Sequence, residues 1–412
     1  MSTRTEARPL GLARVSALGP AFVASVAYVD PGNVAANLTA GSRHGYLLVW
    51  VLVLASLMAV IVQYLSAKLG IVTGSTLSSE IGARLDGLSH GRPLRLAFWV
   101  QAMAVAIATD IAEVIGGALG LYLLFGLPLW VGGILVGAMS LVLLEALRRR
   151  GERVFEIVVT GVLGLVAAGF LTSLMWVQVE PREVLAGMRP RFDGADSRTL
   201  AAAMLGATVM PHAIYLHSAL ARDRHRPDGV MTRPIGELLR IQRTDVLASL
   251  ALAGSVNVAM LLFAAAALRA SSPPDSIVGA HDAIRTTVGA VPAMLFGFGL
   301  LASGVGSSVV GTHAGSRIMK DLLPFALPHQ VRRIVVILPA LGLLLAGVDP
   351  TTALVESQLV LSFGIAFALV PLAWLTGRPA LMGRWVNPWW LQAVSWAIVA
   401  AIVSLNVWLL LG

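Results

Sequence analysis

"AYVDPGNVAANLTAG", residues 27–41, interrupts the first apolar run of the chain with an aspartate, a proline and a glycine in succession. A carboxylate at the centre of a membrane helix costs roughly 2.5–3.5 kcal/mol on insertion scales. Pro31 has no N–H to give, and with Gly32 it breaks the helix and frees backbone groups that lipid cannot satisfy. Such a break is tolerated where the segment is buried in protein or lines a cavity. A second interrupted run follows in "LGATVMPHAIYLHS", residues 205–218, where Gly206 and Pro211 fall near the middle. Asp30 and Met210 stand 180 residues apart, with five spans between the two starts. Two broken spans at matching places in two halves mark a transporter built from inverted repeats.

Composition supports a membrane reading. Hydrophobic residues make up 57% of the 412 and charged residues 13%, against roughly 25% charged in a soluble domain. Mean hydropathy is +0.80. Apolar runs long enough to cross ~30 Å of hydrocarbon recur along the chain. They predict eleven spans, near 15–40, 46–73, 94–124, 128–147, 154–177, 199–221, 244–268, 288–315, 333–348, 351–375 and 389–411. The connections are mostly short, the longest polar ones being 178–198 and 222–243, and none reads as a soluble domain. One transport domain over 15–412 is expected, after a polar, basic cytosolic tail at 1–14 that lacks the apolar core of a signal peptide. With the N-terminus inside, seven of the 30 lysines and arginines fall outside: Arg43, Arg182, Arg189, Arg191, Arg198, Arg269 and Arg285. That bias predicts a cytoplasmic N-terminus and an outside C-terminus. The +8 net charge is accounted for by topology and does not point to nucleic acid. There is no cysteine, hence no disulfide and no thiolate metal site.

The residues around the two breaks are chemically specific. Asp30 offers a charged oxygen, and Asn33, three residues on, a neutral one that a helical turn brings near it. Met210 offers a thioether. Backbone carbonyls near Ala27 and Ala207 are released by the breaks. Oxygen ligands alone would suit Mg²⁺ or Ca²⁺, whereas a sulfur is acceptable to Mn²⁺, Fe²⁺ or Co²⁺. The set reads as a site for a divalent transition metal with a soft ligand as filter. The plainer readings are a kink with a neutral, hydrogen-bonded aspartate, and a methionine that fills a gap, one of 13 in the chain. A rival class is an inverted-repeat symporter for amino acids or organic amines, whose Gly-rich breaks hold a carboxylate at helix N-termini and have no use for Met210. No G-x-S-x-G or H-E-x-x-H is present, so an enzyme is not expected.

"DPGN" and "ATVMPH" resemble the signature motifs of the Nramp family, in particular its bacterial proton-coupled manganese transporters. The likeness continues in "GSRHGY", "ATDIAE", "YLHSAL", "LASGVGSS", "VRRIVVILPA" and "SQLVLSFGIAFALVPL". It implies an all-α polytopic membrane protein of LeuT-like fold: two inverted five-helix repeats, roughly 15–177 and 199–375, plus an eleventh helix at 389–411. It also implies alternating access in the cell's inner membrane and uptake of Mn²⁺ or Fe²⁺ with H⁺, with no resident cofactor. By the same resemblance Asp30, Asn33 and Met210 are metal ligands, Ala207 and Ala27 give backbone carbonyls, and Gln358 joins when the site occludes. His212 is linked to proton movement, Asp110 and Glu113 are the acids of the proton route, and Arg332 and Arg333 are arginines of span 9 beside it. Independently, Asp110 and Glu113 share one face of an otherwise apolar helix, and acids within spans, paired with arginine, form proton relays. A static ion pair joining spans 3 and 9 is the plainer alternative. His217, five residues past His212, does not share its face and reads as a gate or core histidine.

Two residues depart from the family pattern. Met103 stands where relatives carry another acid seven residues before Asp110, which puts the tightness of proton coupling in question. Glu356 stands two residues before Gln358 where an uncharged side chain is expected.

Overall fold

The computed structural model describes residues 19–268, 276–322 and 329–411, and no strand occurs among them. Nine described helices are long and apolar enough to cross a membrane. The two remaining spans are shorter. Span 1 is divided into Pro20–Val26 (1a), a 3₁₀ turn Ala27–Val29, and Pro31–His44 (1b). Span 9, His329–Leu345, has 17 residues with Pro339 inside. Span 6 is divided into Gly194–Thr208 (6a) and Pro211–His225 (6b). The others are Val49–Thr73 (span 2), Gly91–Phe125 (3), Leu129–Arg150 (4), Glu152–Ser173 (5), Ile235–Ala267 (7), Ala290–Leu322 (8), Pro350–Thr376 (10) and Trp389–Leu411 (11).

The packing repeats itself between the halves. Half-helix 1b lies on span 7, and 6b lies on span 2; 1a lies on span 5, and 6a on span 10; span 3 packs along span 8. Each pair maps onto its partner when the numbering advances by five, the arrangement expected of two related five-helix units with opposite orientation. Span 11 stands outside this exchange. It is joined to span 10 through Asn406, whose Nδ2 donates to Ser362 O at 2.8 Å and whose Oδ1 accepts from Ser362 Oγ at 2.9 Å.

The helices outrun the apolar stretches. The polar segment 222–243 holds the last turn of 6b and the first turns of span 7, and span 8 continues to Leu322. Hydropathy marks the part of a helix in lipid, while the backbone ladder continues into water as long as nothing stops it. Four short helices among the described residues also lie in predicted connections: Leu77–Asp86, Pro181–Gly187, Ile277–Thr287 and Pro379–Met382. The first starts at Thr76, whose Oγ1 accepts from Ser79 N at 3.0 Å, a local N-cap.

Candidate functional site

Both breaks are built by residues that end one helix and start another. Asp30 has extended backbone (φ −73°, ψ 168°) and is the N-cap of 1b, with Pro31 in the first helical position where its missing N–H is harmless. Its Oδ1 accepts from Asn33 N at 2.7 Å and from Asn33 Nδ2 at 2.8 Å. Met210 takes the corresponding place in span 6, again extended and again followed by proline, at the start of 6b. Two carbonyls of the first break are held by neighbouring spans. Asn257 Nδ2 donates to Tyr28 O at 2.8 Å, and Ser303 Oγ donates to Val29 O at 2.5 Å. These two freed carbonyls are thus satisfied by side chains, as a break at membrane depth requires.

The breaks meet. Asn33 Nδ2 crosses to span 6 and donates to Ala207 O at 2.8 Å. Ala27, Asp30, Asn33, Ala207, Met210 and Gln358 are all fully buried. Gln358 of span 10 lies over the first turn of 1b. A Cβ added at Gly32 would sit 1.8 Å from Gln358 Nε2, so a side chain there would push the Gln358 amide aside. Span 3 reaches the same break through Gly116, where a Cβ would fall 2.0 Å from Pro31 Cβ.

Three buried oxygens around this point have no partner in the protein: Asp30 Oδ2, Asn33 Oδ1 and Gln358 Oε1. The orientation of Asn33 is forced. Both groups on its nitrogen side, the Asp30 carboxylate and the Ala207 carbonyl, only accept, so Oδ1 must turn the other way. A buried polar atom left without a partner costs about 1–3 kcal/mol. A cation is the simplest group that satisfies three oxygens at once. Among the described residues no group of three His, Cys, Asp or Glu side chains converges to hold a metal. The residues gathered at the two breaks offer one carboxylate, amide and carbonyl oxygens and, in Met210, a thioether. Such donors would suit a divalent ion of intermediate softness.

The second predicted set lies beside the first. His212 follows Pro211 in 6b, and its Nδ1 stands 3.4 Å from Thr109 Oγ1 of span 3. Asp110 and Glu113 are buried in the next turn of that span. The Glu113 carboxylate rests against span 8, where a Cβ at Gly311 would lie 2.9 Å from its Oε1. The helix carrying Arg332 and Arg333 packs on spans 3 and 4, but the side chains of both arginines lie outside the described residues. Met103 is half-buried on span 3, and Glu356 is exposed on span 10.

A further polar chain was not anticipated from the sequence. Gln63 Nε2 donates to Tyr28 Oη at 2.6 Å, and Gln63 Oε1 stands 2.7 Å from His217 Nδ1. His217 Nε2 is 3.0 Å from Gln242 Nε2, which also donates to Asp245 Oδ2 at 3.2 Å. The Asp245 carboxylate accepts from Gly19 N at 3.1 Å and Ala21 N at 2.9 Å, at the start of 1a. Spans 1, 2, 6 and 7 are so joined on the N-terminal side of Asp30. His217, read from the sequence as a gate or core histidine, is buried in the middle of this chain. Gln63 and Gln242 carried a signal that went unused, since an uncharged amide inside an apolar run also needs a partner.

The comparisons agree with this geometry. A family model described as natural resistance-associated macrophage protein-like (Nramp) matches residues 21–412. The divalent metal cation transporter MntH of Mycobacterium tuberculosis is 54% identical over 394 residues, 95% of this chain and 90% of that protein. The protein of the same name from Bacillus subtilis is 43% identical over 395 residues, 95% and 91% of the two chains. Among solved structures, the Eremococcus coleocola manganese transporter in complex with an aromatic bis-isothiourea compound superposes with a TM-score of 0.85 at 30% identity, covering 97% of this chain and 87% of that one. MhsT in complex with L-phenylalanine superposes with a TM-score of 0.62 at 14% identity, over 94% and 98% of the chains, a likeness of fold alone.

Proposed function

Because the chain belongs to the Nramp family, and is a divalent metal ion transporter and not an enzyme, we propose that it imports Mn²⁺, with Fe²⁺ as a further substrate, together with H⁺. Transport runs by alternating access in the cell's inner (plasma) membrane, with the N-terminus cytoplasmic and the C-terminus outside, and residues 15–412 act as one domain. Asp30, Asn33 and Met210 hold the ion with the carbonyls of Ala207 and Ala27, and Gln358 closes over it. His212, Asp110, Glu113 and the Arg332–Arg333 pair carry the proton.

The observation that carries this reading is the set of unpartnered buried oxygens on spans 1 and 10 around Asp30. The burial of all six ligand candidates corresponds to a state closed on both sides. Opening towards the N-terminal side requires the Tyr28–Gln63–His217–Gln242–Asp245 chain to part, and opening the other way requires Gln358 to leave Gly32. An amino acid symporter, which would place a substrate carboxylate at this helix start, is disfavoured by Asp30 itself. Its carboxylate already caps 1b, so a substrate carboxylate at that helix start would meet like charge. An organic amine is separated from a metal by the uptake panel below.

Reconstituted protein in liposomes tests the whole reading. Uptake is measured across Mn²⁺, Fe²⁺, Co²⁺, Cd²⁺, Ca²⁺ and Mg²⁺ at two external pH values, with an internal pH dye. Mn²⁺ uptake that quickens at low external pH and acidifies the lumen is expected. Uptake of an amino acid, or thermal stabilisation by one and not by Mn²⁺, would overturn it.

A further inference from the structure

Asn37 stands one turn beyond Asn33 on 1b and is fully buried. Its Nδ2 donates to Asn257 Oδ1 at 3.0 Å, and Asn257 Nδ2 donates to Tyr28 O at 2.8 Å. The direction of this chain is fixed from its end. A backbone carbonyl only accepts, so Asn257 must present its nitrogen to Tyr28 and its oxygen to Asn37. Asn37 must then present its nitrogen to Asn257, and its Oδ1 is left over, with no partner in the protein. Asn33 shows the same condition four residues earlier: its nitrogen is held by two acceptors and its oxygen is left over.

Residues four apart lie on one face of a helix, and their rise is about 6 Å. Oxygen–cation bonds run about 2.1–2.5 Å, and a water's hydrogen bond about 2.8 Å. An oxygen–metal–water–oxygen bridge therefore spans about 7–8 Å when straight and less when bent, which covers one turn. A second cation bound directly at Asn37 would have a single neutral ligand, too few to replace its waters. A water still attached to the first ion donates a hydrogen bond at no such loss.

We propose that Asn37 Oδ1 accepts a hydrogen bond from a water kept by the incoming metal ion, so that Asn37 positions a partly hydrated divalent cation at Asn33 before the site closes. The inference rests on the metal-site reading above. The ion sheds its shell in two stages: the waters facing Asp30, Asn33 and Met210 are replaced first, and the one facing Asn37 leaves last. Asn37 is a positioning residue in this scheme, since it touches the ion only through water.

The plain competitor is a clamp in which the Asn37–Asn257 pair holds 1b against span 7 and does nothing else. Two substitutions separate them in the liposome assay. Asn37→Leu removes the oxygen, and the KM for Mn²⁺ should rise about tenfold with kcat largely kept. The rise should be larger for Ni²⁺, which holds its waters tightly, and smaller for Cd²⁺, which sheds them readily. Asn37→Asp puts charge where the water sits; the KM for Mn²⁺ should fall several-fold, and Ca²⁺ should become an inhibitor. Neither variant donates to Asn257, so a clamp would be lost in both, with weaker transport in both and one factor for every metal. That result overturns the proposal, as does parent-like behaviour of both. If Asn37→Leu does not fold, Asn37→Asp decides alone: a lower KM supports the water bridge, and an unchanged or higher KM removes it. Parent protein and Asp30→Asn are run alongside. A parent without Mn²⁺ uptake would defeat the metal-site reading itself, whereas an active parent with an inactive Asp30→Asn confines any failure to Asn37.

Discussion

Asp30→Asn separates folding from transport, because the two oxygens of Asp30 have different tasks. Oδ1 accepts from Asn33 N and Asn33 Nδ2 at 2.7 and 2.8 Å, while Oδ2 has no protein partner. An amide keeps the first oxygen, and asparagine caps helices about as well as aspartate. The metal-free variant should insert and melt close to the parent. The second oxygen becomes an NH₂ whose hydrogens face the cation. At an effective dielectric of 20, unit charges 4 Å apart attract by ~4 kcal/mol, and a dication doubles that. Taking half of the attraction as offset by desolvation leaves a loss of about 4 kcal/mol, or roughly a thousandfold in affinity. Calorimetric titration with Mn²⁺ and liposome uptake measure the two consequences, and melting without metal measures the control. Affinity within tenfold of the parent, with normal uptake, would remove Asp30 from the site.

Met210→Ala should weaken Mn²⁺ by about tenfold or less and let Ca²⁺ compete, because water replaces sulfur; continued exclusion of Ca²⁺ in a competition assay would mean that geometry sets the selectivity. Asp110→Asn should leave Mn²⁺ binding unchanged but abolish the acceleration of uptake at low external pH, and Met103→Glu should strengthen that acceleration; dye-reported proton flux that is unaltered in Asp110→Asn makes the span 3 acids structural. Gly116→Ala drives a methyl into Pro31, and overpacking of this kind costs about 1–3 kcal/mol; both the melting temperature and Mn²⁺ uptake should fall, and a parent-like variant would show that span 3 moves away freely.

The breaks were legible because proline and glycine act locally. Asp30–Pro31–Gly32 and Met210–Pro211 each specify a cap and an interrupted helix within a few residues, and the structure has both. Asn33 was legible for the same reason, since its spacing from Asp30 fixes their meeting. Gln358 was not reachable by spacing. It lies 326 residues from Gly32, and only the family resemblance drew attention to it. The chain from Tyr28 to Asp245 was hidden for a related reason. Gln63, His217 and Gln242 sit on three spans, and a buried amide in an apolar run states a need for a partner without naming it. The short helices Leu77–Asp86 and Ile277–Thr287 were missed because caps and polar faces define them, and hydropathy does not weigh these. Glu356, unexpected in the family pattern, proves exposed, which its place in an otherwise apolar span did not reveal.

The single carboxylate among the proposed ligands has an electrical consequence. A dication seated beside an ionised Asp30 leaves one net positive charge at the centre of the molecule, and the empty cradle with the same aspartate ionised carries one negative charge. In the proposed alternating-access cycle the two directions then feel the membrane potential with opposite sign. Moving one elementary charge through 100 mV is worth about 2.3 kcal/mol. On that proposal an inside-negative potential favours the loaded molecule facing inward and the empty one facing outward, so that voltage would drive both halves of the cycle in the direction of import.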